Sequence, residues 1–261
     1  MSSIPSWQLL SHVEFEGTCV PFITCMLPST NYPRQFYNTN SAVFRTVNEF
    51  GQTAYVLAVA AGYVGCEDPL VQPPSCLWSA YADLPMLVLY DVTGTGTPAF
   101  QQPVLLRVGL GSQPGNSFCV KTKSYGSGPA ATVCAFVGDL LGRLYVFDVT
   151  GTKLFPPATS PYLPGTDPLL PIAELDFPHD AYDGYPANCI DLEIDGTYLY
   201  CALNRHGIGV VDVSNPASPT LVHVEDTPGL VLGLAQRTAG TPPHKQLIVG
   251  DSRCGPKVYE K

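Results

Sequence analysis

The sequence predicts an all-β fold of small antiparallel sheets, and three features of its 261 residues carry that prediction. It holds 24 Gly and 26 Pro, which break helix interiors and punctuate turns. It is 45% hydrophobic and only 13% charged, so both disorder and a long helical bundle are excluded. One short pattern, an apolar run closed by an acidic residue, also recurs at roughly 50 to 60 residues, a period typical of sheet-forming repeats.

The recurring pattern reads Leu87-Val88-Leu89-Tyr90-Asp91-Val92-Thr93, Leu144-Tyr145-Val146-Phe147-Asp148-Val149-Thr150 and Ile208-Gly209-Val210-Val211-Asp212-Val213-Ser214, with a shorter copy at Pro256-Lys257-Val258-Tyr259-Glu260. After each of the first three comes a turn, a proline and another apolar run, starting at Pro103, Pro171 and Pro219. Proline suits the first residue of an outer strand, where no ladder donor is lost. Ahead of each pattern lie two further β-rich runs: 42–47 and 54–59, 118–121 and 132–137, 189–194 and 198–203, 230–234 and 246–249.

Each unit therefore has four short strands, and the repeat reads as a β-propeller of about four blades, each a four-stranded antiparallel sheet. The expected layout is a single domain over 1–261. It has an N-terminal outer strand at 7–15, blades at 40–108, 117–176 and 188–225, and a partial blade at 230–261. Leu10-Ser11-His12-Val13-Glu14 echoes Leu221-Val222-His223-Val224-Glu225, so the first strand matches the one the last blade lacks. A ring closed by that pairing, which removes a sheet edge, and a piece of a larger propeller both fit the sequence.

The third unit is the most regular, with Asp195-Gly196 and Arg205-His206-Gly207 at its two hairpin turns. Its segments Gly196–Ala202, Gly207–Val222 and Asp226–Gly229 resemble the LVIVD-type β-propeller repeat, closely over 188–229 and in degenerate form elsewhere. The other units keep the hydrophobic-Asp-Val core but carry Thr-Gly-Thr where the third has Ser-Asn-Pro. The resemblance implies a surface or envelope-associated propeller, in a family whose members mostly lack an assigned activity. It brings no catalytic residues to transfer, and it implies a ring of more than four blades.

A net charge of −9 without a basic run disfavours nucleic acid as a partner. The longest apolar stretch, Ala54 to Gly65, is shorter than the roughly 20 residues a transmembrane helix needs. Residues 1–7 show neither a basic segment nor the apolar run of an export signal.

In a blade of this topology, the links between blades and the turns between second and third strands emerge at one end. Most of the extra length falls there: Glu16 to Asn40, Ala60 to Pro85, Phe177 to Asn188, and the turns at Asp139, Asn204 to His206 and Asp251 to Arg253. Loops on a rigid scaffold are the usual home of binding residues. Within them His179, Asp180, Tyr182, Asp183 and Tyr185 concentrate an imidazole, two carboxylates and two phenols, with Arg205 and His206 at the same mouth. The cluster suits a protein, glycan or cation. Equally, Asp180 and Asp183 read as turn formers, the tyrosines as core cover, and Arg205-His206 as a solvated hairpin tip. No cofactor is predicted, and calcium is the ion such carboxylates would take.

A non-enzymatic binding scaffold is the expected function. The competing class is a propeller enzyme, such as a metal-dependent hydrolase or lactonase with acidic ligands at the axis, which would need three or more Asp, Glu, Asn or His groups converging on one point. Asp191–Gly196 begins like a calcium loop but has Ala202 at the twelfth position, and its alternation reads as strand and turn. The five histidines show no paired ligand spacing, and no Gly-x-Ser-x-Gly elbow occurs. The repeated Asp91, Asp148 and Asp212 read as residues whose carboxylates fix the following turn.

Of nine cysteines, eight fall into neighbours: Cys19 with Cys25, Cys66 with Cys76, Cys119 with Cys134, and Cys189 with Cys201. A Cys66–Cys76 bridge would staple a proline-rich insertion and place the protein in an oxidising compartment: extracellular, periplasmic or cell-surface. For Cys119/Cys134 and Cys189/Cys201, cross-strand disulfides and buried thiols packed between sheets are both open, since hairpin register decides between them.

Overall fold

The computed structural model describes residues 18–20, 24–27, 34–47, 51–64, 85–91, 104–109, 117–154, 170–178, 184, 186–239, 244–253 and 255–260. These form four antiparallel sheets, each built from strands in chain order. Sheet one contains β1 (Thr18–Val20), β2 (Thr24–Leu27), β3 (Arg34–Val47), β4 (Thr53–Val64), β5 (Pro85–Asp91) and β6 (Val104–Gly109). Sheet two contains β7 (Ser117–Tyr125), β8 (Thr132–Asp139), β9 (Arg143–Asp148) and β10 (Ala173–Asp176). Sheet three contains β11 (Asp191–Asp195), β12 (Tyr198–Ala202), β13 (Ile208–Asp212) and β14 (Thr220–Glu225), and sheet four β15 (Val231–Ala239), β16 (His244–Asp251) and β17 (Gly255–Glu260). Among the described residues no sheet closes into a barrel.

Sheet one departs from the four strands expected of it. β3 and β4 pair over most of their 14 and 12 residues, and β2 adds to β3 through Thr24↔Tyr37 to Leu27↔Arg34. Parts of Glu16 to Asn40 and Ala60 to Pro85, expected as loops, are thus strand. The reason is local: Ala54 to Val64 is an apolar run with no proline or charge to end a strand, and a bulge between Asn38 and Asn40 lets the ladder resume beyond it. One four-residue helix, α1 (Gly151–Leu154), follows β9. The expected outer strand at 7–15 lies outside the described residues.

Alternation explains how the sheets stack. Residues 133–139 of β8 are all buried, because both faces of sheet two are covered. Val133, Ala135 and Val137 pack with Phe44, Val56, Ala58, Leu87 and Leu89 of sheet one. Cys134 and Phe136 face the other way, toward Leu192, Leu199 and Cys201 of sheet three. A third cluster joins Ala202 and Ile208 of sheet three to Val231, Leu234 and Val249 of sheet four. Successive sheets also meet through polar contacts. Lys121 Nζ donates to Glu193 Oε2 at 3.1 Å and Tyr125 Oη to the Val213 carbonyl at 2.6 Å, while Asp191 Oδ2 accepts the Leu234 amide at 2.8 Å.

At the two ends of the series the outward faces expose large apolar side chains. Val43 and Tyr55 are 62% and 47% exposed on sheet one, and Leu232 and Val258 are 56% and 49% exposed on sheet four. The aspartates ending the third strands act as turn anchors: Asp148 Oδ1 accepts the Thr150 amide at 3.1 Å and Asp212 Oδ1 the Ser214 amide at 2.8 Å.

Candidate functional site

The end that carries the inter-sheet links is built by one repeated contact. The turn leaving β8 offers the Asp139 carbonyl to the Cys189 amide, and the turn leaving β12 offers the Asn204 carbonyl to the Val231 amide, both at 2.9 Å. Each turn between second and third strands is thereby tied to the start of the next sheet. The link 177–189 is held at both ends on a single turn: Phe177 donates to the Gly142 carbonyl at 2.7 Å, and Asn188 Nδ2 donates to the Leu140 carbonyl. In sheet four the Asp251 carboxylate accepts amides from Gly229 at 3.2 Å and Arg253 at 2.8 Å, with Lys257 Nζ 3.4 Å away.

Of the residues the sequence nominated, Arg205 and His206 stand on the turn between β12 and β13. Gly207 closes that turn at φ +79°, and Asn204 opens it at φ +53°, a left-handed conformation that asparagine tolerates. Arg205 is exposed, whereas both ring nitrogens of half-buried His206 are buried without a hydrogen-bond partner. His179, Asp180, Tyr182, Asp183 and Tyr185 lie outside the described residues. The stems of their segment rest on the β8–β9 turn, beside the sheet that carries Arg205. Among the described residues no three His, Cys, Asp or Glu side chains are grouped to hold a metal ion.

Asp139 is the perturbed group of this end, and sequence reasoning only placed a turn there. Its side chain is fully buried, with Oδ1 accepting the Leu141 amide at 2.9 Å and the Arg143 amide at 2.8 Å. Burial pushes its carboxyl up to about 6, against the opposing pull of those amides and of the Arg143 guanidinium, whose Nε lies 3.4 Å away. The available signal was its place at the end of an unbroken apolar strand, where a carboxylate has little water. Exposed Leu141 and Leu230, on the β8–β9 turn and the link into sheet four, add apolar surface to this end.

Of the two arrangements open for the cysteines of the described sheets, the structure has buried thiols and not cross-strand disulfides. Register sets Cys119 near Gly138 and Cys134 opposite Lys123, so these two are not cross-strand neighbours. Cys201 lies opposite Leu192, and Cys189 falls before β11 begins. Cys119, Cys134, Cys189 and Cys201 are all buried thiols outside any disulfide. The close pair is between sheets: Cys119 Sγ lies 3.7 Å from Cys189 Sγ and 3.4 Å from the Cys189 carbonyl. Burial raises both thiols above their ordinary range. Space for them comes from Gly138, where an added Cβ would sit 2.7 Å from Cys119 Sγ. Cys19 and Cys25 are directly opposite in the β1–β2 register, while Cys66 and Cys76 lie outside the described residues.

Fold and site together define an all-β repeat protein in which sheets two and three each hand a turn carbonyl to the next sheet. Residues 188–227, which span all of sheet three, match the LVIVD repeat. No curated protein matches the chain. Among solved structures, the chain is similar to a crystal structure of BBS1N in complex with ARL6DN, soaked with lead. The identity is 12%, with 93% of this chain and 78% of that chain covered, at a TM-score of 0.40.

Proposed function

We propose that the chain is a non-enzymatic β-propeller scaffold that binds a protein partner at its link-bearing end. The repeated carbonyl-to-amide contact, Asp139 with Cys189 and Asn204 with Val231, supports a radial arrangement, because the same step relates two successive pairs of sheets. The open faces around Val43 and Val258 are what a closing contact or further blades would cover. The observation that carries the binding site is the set of exposed Leu141, Arg205 and Leu230 on successive turns and links of one end. Apolar side chains and an arginine exposed at one end, on a backbone fixed by buried strands, have the composition of a protein-binding patch. Calcium at the Asp180 and Asp183 carboxylates is a further part of this reading, as is an oxidising compartment, which rests on Cys66 and Cys76.

The test compares affinity capture by the intact chain with capture by a Leu141→Glu/Arg205→Glu/Leu230→Glu variant of equal circular dichroism. The reading expects a defined protein to be lost from the variant and retained by Lys123→Glu, which alters the opposite end. Identical captured sets from all three would overturn it. Isothermal titration of calcium into the wild type and into Asp180→Asn/Asp183→Asn reads the ion site separately. Mass spectrometry of the alkylated, unreduced chain reads the Cys66–Cys76 bond.

A further inference from the structure

A cavity of about 180 Å³ lies between sheets three and four, at the end away from the links, where β11 turns into β12 and β16 begins. Tyr200 of β12, Leu247 of β16 and Tyr259 of β17 give it an apolar wall, and Leu247 and Tyr259 are cross-strand partners. Its charged groups are already matched. Lys245 pairs with Asp195, and Gln246 accepts from Arg237 Nε at 2.7 Å while donating to Glu260 Oε1 at 2.6 Å. Gln236 differs: it lines the cavity, and its amide nitrogen is buried with no hydrogen-bond partner. A buried donor left unmade is costly, and an acceptor entering the cavity would complete it.

We propose that the cavity binds a neutral saccharide ring, with Gln236 Nε2 donating to one of its oxygens and its C–H face lying on the tyrosine wall. Neutrality follows from the paired charges, because a charged ligand would have to break one of the two ion or amide pairs. The need for both an acceptor oxygen and an apolar face selects a hydroxylated ring over a purely aromatic ligand, and the volume admits about one ring. The site is at the opposite end from the protein-binding patch proposed above and does not depend on it.

The experiment is saturation-transfer NMR on the full chain with glucose, galactose, mannose and N-acetylglucosamine, each titrated to about 50 mM. Saturable binding by at least one sugar is expected. Gln236→Leu should weaken it about tenfold, the size of one lost hydrogen bond to a bound ligand, and Tyr259→Ala should weaken it comparably. Arg205→Ala, at the other end, should leave it unchanged. The methyl glycoside of the bound sugar separates sources: retained affinity assigns a glycan terminus, lost affinity a free monosaccharide. No saturable binding by any of the four, or equal binding by the folded Gln236→Leu and Tyr259→Ala variants, would overturn the assignment.

Discussion

The Asp139 carbonyl accepts the Cys189 amide at 2.9 Å, joining the turn after β8 to the residue two before β11. Asn204 and Val231 repeat the contact at the same distance one sheet further on. Hydrogen bonds that recur at equivalent places between sheets show that packing direction, and not only strand order, is repeated along the chain. The turn that supplies the second of them depends on Asn204 holding φ +53°. Replacing Asn204 by Ala should therefore destabilise the protein by about 1 kcal/mol, and replacement by Gly by less, because only the alanine carries the steric cost of the left-handed region without a compensating polar group. Urea unfolding midpoints check this. An alanine variant as stable as the glycine one would show that the turn is not under that constraint.

Gly138 sits where the side chains of two sheets meet. A methyl group there would lie 2.7 Å from Cys119 Sγ and also clash with Cys189. Gly138→Ala should cost about 1–3 kcal/mol through overpacking, and adding Cys119→Ala and Cys189→Ala should recover part of that loss. Strict additivity of the three substitutions in thermal or urea unfolding would contradict the close packing.

The four thiols of that region should be silent in the native protein. Cys119, Cys134, Cys189 and Cys201 are buried and not joined in disulfides, and burial holds the Cys119 and Cys189 thiols protonated. Titration with a disulfide reagent should show at least four more reactive thiols in guanidinium than under native conditions. Fewer than four additional thiols, without reductant, would mean that some are bonded or accessible.

Much of this architecture was legible in the sequence because strand order within a sheet is a local property. The runs at Leu144–Asp148 and Ile208–Asp212 became β9 and β13 within a residue of where alternation placed them, since each is short, β-branched or aromatic, and closed by an aspartate. Contacts between sheets were not legible. Cys119 pairs in space with Cys189, 70 residues away, whereas sequence proximity nominated Cys134, and register alone moves Cys134 opposite Lys123. Arg205 and His206 were placed correctly on a turn at the link-bearing end, because Gly207 punctuates it. The cavity beside Gln236 was invisible, since its walls come from β12, β15, β16 and β17 and no motif marks them.

Asp139 supplies the pH dependence. Its folded-state pKa is raised to about 6 from 3.8, burial being the main cause, so the folded protein binds this proton more tightly than the unfolded chain does. The contribution is then fully present below about pH 4, declines as pH rises through the window from about 4 to about 6, and is gone above it. The shift corresponds to about 3 kcal/mol at most. Asp139→Asn keeps an oxygen that can accept the Leu141 and Arg143 amides but has no charge to desolvate. Relative to the wild type it should gain stability between pH 4 and pH 7, less whatever the Arg143 ion pair at 3.4 Å returned. Guanidinium unfolding at pH 4, 5, 6 and 7 measures that difference directly. Parallel pH profiles for the two proteins would mean that the buried carboxylate is ionised at no cost, and that water or Arg143 compensates it fully.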